Sequence, residues 1–216
     1  MLRQLLSSMW AQRLELGVDS NDLEIRNALH RKVLKVNHQC RSTIIVDELG
    51  LAHGKIRIDI AVLNGHLHGY EIKSSRDNLA RLPDQLNEYR RSLQKLTIVV
   101  APNHVDEVLK IAPKWSGIIE ASKGPRGAIN FKTLRRAIIN PEIDGVALAH
   151  LLWRKEAAEF LAKLGASPID AKKPRKQLYE AIAEEASVSE LTNWIKEKFM
   201  ARETWRSDSP QTLCGG

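Results

Sequence analysis

Asp59 and the tripeptide Glu71-Ile72-Lys73 place two carboxylates and one ammonium in a short segment whose neighbours are largely apolar. Glu71-Ile72-Lys73 is the only Glu-x-Lys in the chain. Side chains alternate sides along a strand, so Glu71 and Lys73 share one face while Tyr70 and Ile72 take the other. If Asp59 joins the charged face, two hard oxygen donors and a base converge at one end of an apolar sheet. Mg²⁺ or Mn²⁺ suits such donors, because a hard cation is commonly held by one or two carboxylates with water and substrate phosphate completing the shell. The metal would acidify a water and offset charge on a scissile phosphate, while Lys73 orients that water or stabilises developing negative charge. The reaction class that fits is phosphodiester hydrolysis. The competing explanation for the tripeptide is a cross-strand acid–base pair on a solvated sheet face.

These residues need a hairpin to bring them together. Ile56, Ile58, Ile60 and Val62 alternate with Arg57, Asp59 and Ala61 at period two, Asn64-Gly65 is a turn signal, and a second strand is expected over about 67–74. Register then decides the site. A strict two-residue turn would pair Asp59 with Tyr70 and turn Glu71 to the wrong side. Facing Asp59 with Glu71 requires one more residue, from a three-residue loop or a bulge at Gly69.

Around the hairpin, Asn21 with Glu24 reads as a capping box opening a helix over 22–36, and Thr43-Ile44-Ile45-Val46 reads as a strand. Asp77 or Ser75 could cap a helix carrying Leu79, Leu82, Leu86, Tyr89 and Leu93, followed by a buried strand at Leu96–Val100. A short helix over 104–112 and a small hairpin with arms at 117–119 and 128–131 come next. Beyond Pro141 the pattern is wholly helical, over 146–164, 174–186 and 188–202. We therefore expect an α/β domain over 1–144, a helical appendage over 145–206 that could hold nucleic acid, and a fraying tail over 207–216.

The 216 residues, 43% hydrophobic and 27% charged, suffice for a buried core and argue against a disordered or fibrous chain. No apolar stretch approaches the roughly 20 residues of a membrane helix. The opening stretch 1–16 reads as an amphipathic helix rather than a signal peptide, which points to the cytoplasm. Cys40 and Cys214 match no metal or redox spacing, so a disulfide scaffold and a structural zinc site are not expected. A net charge of +7 favours a polyanionic partner such as nucleic acid.

The segment Gly69-Tyr70-Glu71-Ile72-Lys73-Ser74, with Asp59 before it, resembles the signature strands of the PD-(D/E)xK nuclease superfamily, and most nearly its Sce7726-type family. The resemblance covers about residues 20–115. It implies a restriction-endonuclease-like core in the order helix, three strands, helix, strand. It also implies that Asp59 and Glu71 bind Mg²⁺ or Mn²⁺ and that Lys73 completes the catalytic set. Gln85 and Tyr89 resemble the Gln-x-x-x-Tyr motif of RecB-like nucleases, in which the glutamine helps hold the active site. An additional acid often serves in these enzymes. Glu24 and Glu48 are the two options, and Glu48 is preferred because Glu24 is accounted for by the capping box. Ile58 stands where the superfamily's name has proline, a position that varies among members.

Arg76 and Arg81 flank the expected site and could touch phosphates. Lys172, Lys173, Arg175 and Lys176 form a basic cluster at a helix start, within an arrangement that resembles a SAP-type helix–loop–helix DNA-binding module. His66 and His68 could ligate a soft metal, although no third ligand is evident. Trp153 and Trp194 are expected to fill the helical core. The function expected is thus a metal-dependent deoxyribonuclease. The rivals are a catalytically inactive nucleic-acid-binding or regulatory protein on the same scaffold, and a protein–protein adaptor built on the C-terminal helices.

Overall fold

The computed structural model describes residues 20–202 except 168, 170 and 171. The expected opening helix, Cys214 and the expected tail lie outside the described residues. The chain forms a mixed α/β fold around one six-stranded sheet in sequential order, β1 (Ile44–Leu51), β2 (Ile56–Leu63), β3 (Leu67–Lys73), β4 (Lys95–Val100), β5 (Gly117–Lys123) and β6 (Ile129–Arg135). The first two pairings and the last are antiparallel, whereas β3, β4 and β5 run parallel. Parallel neighbours need crossovers, and helices α3 (Leu82–Ser92) and α4 (Val105–Ile111) supply them.

Helix α1 (Asp22–Lys32) opens with the expected capping box between Asn21 and Glu24. It covers one face of the sheet, where Ile25, Ala28 and Leu29 meet Ile60, Val62, Tyr70 and Ile72. A separate short helix, α2 (Lys35–Gln39), follows where the sequence pattern suggests one helix running on to 36. The opposite face packs on Leu82, Leu86 and Tyr89 of α3, and the C-terminal helices α5 (Gly145–Ala149), α6 (Arg154–Lys163), α7 (Arg175–Glu185) and α8 (Val188–Ala201) join that same cluster. Thr192 Oγ1 on α8 donates to Gln94 Oε1, which also accepts the Leu67 N–H, so the helical region is tied to the hairpin. Among the described residues no helix is long and apolar enough to cross a membrane.

Two expected helices differ in ways that bear on the site. Asp77 caps nothing: its carboxylate accepts the backbone and hydroxyl of Ser74, fixing the chain as it leaves β3, and α3 starts only at Leu82 with Pro83 in its first turn. The helix expected over 146–164 is two helices. The break has no proline or glycine, and its carbonyls are satisfied from elsewhere: Arg202 Nη2 donates to Leu151 O, and Tyr179 OH to Leu152 O. Glu156 accepts the Trp153 N–H and restarts the helix.

Candidate functional site

The hairpin between β2 and β3 closes with a three-residue loop, Asn64-Gly65-His66, pairing Leu63 with Leu67 and Ile60 with Tyr70. Continuing that register sets Asp59 opposite Glu71, the arrangement the charged face requires. No bulge is needed at Gly69, which pairs with Ala61. A Cβ there would lie 2.6 Å from Leu93 Cδ1 and 2.9 Å from Ile58 Cγ1, so glycine is demanded by close packing.

The sheet opens at Asp59. Neither Glu48 nor Asp59 appears in the β1–β2 ladder, which resumes on both sides with Asp47 opposite Ile60 and Leu49 opposite Ile58. Glu48 has φ 54°, left-handed and unusual for a non-glycine residue. Across this rung the side-chain alternation slips by one. Ala61 and Leu63 face α3 while Ile60 and Val62 face α1, yet Ile58 again faces α3. The Asp59 carboxylate fills the gap, its Oδ2 accepting the Ile72 N–H at 2.6 Å.

Glu71, only 2% exposed, is held from the α3 side by a closed polar network. Its Oε1 accepts from Lys73 Nζ at 2.7 Å and from Gln85 Nε2 at 2.9 Å, while its Oε2 accepts from Tyr89 OH at 2.6 Å. Lys73 Nζ also donates to Gln85 Oε1 at 3.1 Å. The i, i+4 spacing of Gln85 and Tyr89 puts both on the face of α3 turned to the strand. Burial first, and then the charge of Glu71, pushes the Asp59 carboxyl up to about 7. Burial and the Glu71 charge also raise Tyr89, and Asp59 adds to that, so both acids act on one phenol.

Arg26 is a member of the cluster that sequence reasoning missed. From α1 its guanidinium donates to Asp59 O at 2.8 Å and reaches Asp59 Oδ1 at 3.2 Å and Glu48 Oε1 at 2.6 Å. Its one sequence signal is the i, i+4 pair with Asp22, which says nothing of a strand thirty-three residues away. Glu48 therefore stands beside Asp59 through a shared arginine. Glu24, the other acid considered, is occupied by its cap and by Lys123 at 2.6 Å.

The remaining expectations divide. His68 is no metal ligand as placed: it hydrogen-bonds Thr97 Oγ1 at 2.8 Å, stacks on Tyr70, and burial holds it down to about 4. Arg76 and Arg81 are exposed on the connection from β3 to α3. Lys172 is exposed and Lys173 half-buried on the connection from α6 to α7, where Arg154 donates to both carbonyls, and Arg175 and Lys176 are exposed in the first turn of α7. Trp194 packs on Phe160 as expected for a core residue. Trp153 is instead 57% exposed, because its position at the helix break points it away from the core.

Asp59 in the gap and Glu71 on the α3 side repel each other, and both are hard oxygen donors of the type a divalent cation takes. No cluster of three or more His, Cys, Asp or Glu is placed to hold a metal among the described residues. A Mg²⁺ site can rest on one or two carboxylates with the rest of its shell from substrate and water.

No solved structure matches the chain. Protein cII of Enterobacteria phage P4 is 27% identical over 172 residues, a stretch covering 80% of this chain and 64% of that protein, so the chain spans less than two thirds of that relative. The family model described as Bacteriophage P4 protein cII matches residues 18–209, taking in the hairpin, α3 and the C-terminal helices. The chain belongs to the bacteriophage P4 protein cII family.

Proposed function

We propose that the protein is a Mg²⁺- or Mn²⁺-dependent nuclease that hydrolyses phosphodiester bonds of DNA, on a restriction-endonuclease-like core. The observation that carries this reading is the buried Glu71–Lys73–Gln85–Tyr89 network set beside a desolvated Asp59. A structural ion pair would be better placed at the protein surface, because burying two charges costs several kcal/mol per ion before geometry repays it. Chemistry supplies a reason to keep them inside.

Asp59 and Glu71 are the residues that would hold the cation, whose chemistry there is to acidify water and offset phosphate charge. Gln85 uses both ends of its amide, accepting from Lys73 and donating to Glu71, so it fixes the ammonium and the carboxylate in one geometry. Tyr89 holds the second oxygen of Glu71 and keeps that carboxylate from rotating. Lys73 has three N–H donors and spends two on Glu71 and Gln85, which leaves one to orient an attacking water or meet a phosphate oxygen. Exposed Arg76 and Arg81, at the mouth of the β3–α3 connection, suit contact with the phosphate backbone.

Arg26 favours a second reading, a nucleic-acid-binding protein that has lost turnover. Its guanidinium already bridges Asp59 and Glu48 with the positive charge a cation would bring. One experiment separates the two. A panel of single-stranded, duplex and branched DNAs is incubated with the full chain in Mg²⁺ or Mn²⁺, beside Asp59→Ala and Lys73→Ala. Cation-dependent cleavage by the parent, lost in both variants while binding survives, supports the nuclease. Binding without cleavage by the parent supports the second reading, and cleavage unchanged in both variants rejects the assignment.

A further inference from the structure

The turn between β1 and β2 holds Ala52, His53 and Gly54 in succession at φ 47°, 59° and 84°. Two adjacent non-glycine residues in the left-handed region form a strained conformation of the kind kept at binding sites. The turn sets the exposed His53 ring 4.2 Å from His150 and 5.9 Å from Tyr179, whose hydroxyl is tied to Leu152 O. Nearby, the exposed Trp153 is backed by the Arg202 guanidinium, 4.3 Å from its ring centroid, and Arg202 is itself anchored by buried Glu156. Together with Arg175 these side chains line a cavity of about 340 Å³. Nδ1 of His150 is buried without a hydrogen-bond partner among the described residues.

We propose that this cavity takes an unpaired nucleotide of a nucleic-acid strand, with its base stacked against His53 and Trp153 and its phosphate met by Arg175. The class of ligand rests on the nuclease reading, and two features of the cavity fit it. Aromatic rings held rigidly at a surface are stacking platforms for bases of any sequence. Arg175 forms a basic run with the exposed Lys172 and Lys176, which gives the strand's phosphates a path to follow.

Location links the cavity to the carboxylates. Leu49 and Gly50, which also line it, directly follow Glu48 on β1. Gly50 is thus two residues, or about 7 Å of strand, from the rung of Glu48 and Asp59. The apolar side chains beneath the cavity belong to the cluster on the α3 face of the sheet, the side on which Glu71 is held. A strand seated there would enter the site with one nucleotide flipped out of register, so the substrate class is DNA with a single-stranded portion next to the scissile phosphate.

The test is binding without turnover. The 216-residue chain in excess EDTA is titrated into a fluorescein-labelled oligothymidylate of about 12 nucleotides, within the ~4–16 that a single-strand-binding surface spans. Oligouridylate and a matched duplex run in parallel. Trp153→Ala and His53→Ala are each expected to weaken single-strand binding about 5- to 50-fold, with Trp153→Phe restoring most of it. Arg175→Ala is expected to weaken binding and to lower the salt slope by about 0.7. Lys110→Ala, an equal charge loss on α4, stays within about twofold of the parent on the same scale of effect.

Thermal melts accompany each variant, and His53→Ala on the exposed turn decides the matter if Trp153→Ala melts. Parental affinity in the folded variants, or no single-strand binding by the parent, overturns the proposal. Cleavage that proceeds with an indifferent cavity leaves the nuclease reading standing alone. Strand capture through these residues without cleavage in Mg²⁺ removes the nuclease reading and keeps this one.

Discussion

Replacing Glu71 by Gln leaves the Lys73 ammonium, 9% exposed, without its carboxylate, and replacing Lys73 by Met leaves Glu71, 2% exposed, short of its cation. Each single change abandons a buried charge and is expected to cost about 3–5 kcal/mol. The double variant abandons neither. Gln at 71 still accepts from Tyr89 or Gln85, and Met fills the lysine's space, so the double should cost about 1–3 kcal/mol rather than the sum of the singles. Urea unfolding followed by circular dichroism and by tryptophan fluorescence measures all four proteins, with coincident transitions checking two-state behaviour. A coupling of several kcal/mol with cleavage abolished in the double would show that the pair is kept for chemistry, since stability survives without it. Additivity within about 0.5 kcal/mol would refute the reasoning, because the two groups would then not share one desolvated network.

Burial holds His68 down to about 4 from an ordinary 6.5, so the unfolded chain protonates first on acidification. The neutral imidazole's contribution is present above about pH 6.5 and lost as pH falls toward 4, up to about 3 kcal/mol. His68→Gln, which can still bond Thr97, should flatten the acid limb of stability against pH, and an unaltered limb would place the titration elsewhere. Gly69→Ala forces a Cβ against Leu93 and Ile58 and should lower the urea midpoint by an amount equivalent to about 1–3 kcal/mol; an unchanged midpoint would mean the two side chains move aside freely.

Much of this arrangement is legible in the residues themselves. Period-two alternation marks β2, Asn64-Gly65 marks the turn, and the demand that Asp59 face Glu71 calls for the extra residue that the three-residue loop provides. Asn21 and Glu24 mark the start of α1, and Gln85 with Tyr89 falls on one helical face as spacing requires. What escapes the sequence depends on distant partners. Arg26 reaches Asp59 from another element, and the Leu151–Trp153 break is stabilised by Tyr179 and Arg202, so neither leaves a local signal. The reach of β1 through Glu48 to Leu51 is hidden because the acidic run Asp47-Glu48 interrupts the alternation where the sheet opens. Asp77 has the composition of a helix cap, yet it serves the strand before it, since the Ser74 N–H at the end of β3 would otherwise lack an acceptor.

Phosphodiester hydrolysis at this site requires Asp59 and Glu71 to share a cation. A crystal of the full chain soaked in Mn²⁺ and recorded at the manganese edge answers this directly. An anomalous peak within coordination distance of both carboxylates, absent from Asp59→Ala, is the predicted result. No peak at saturating Mn²⁺, with Arg26 still bridging Asp59 and Glu48, would contradict it.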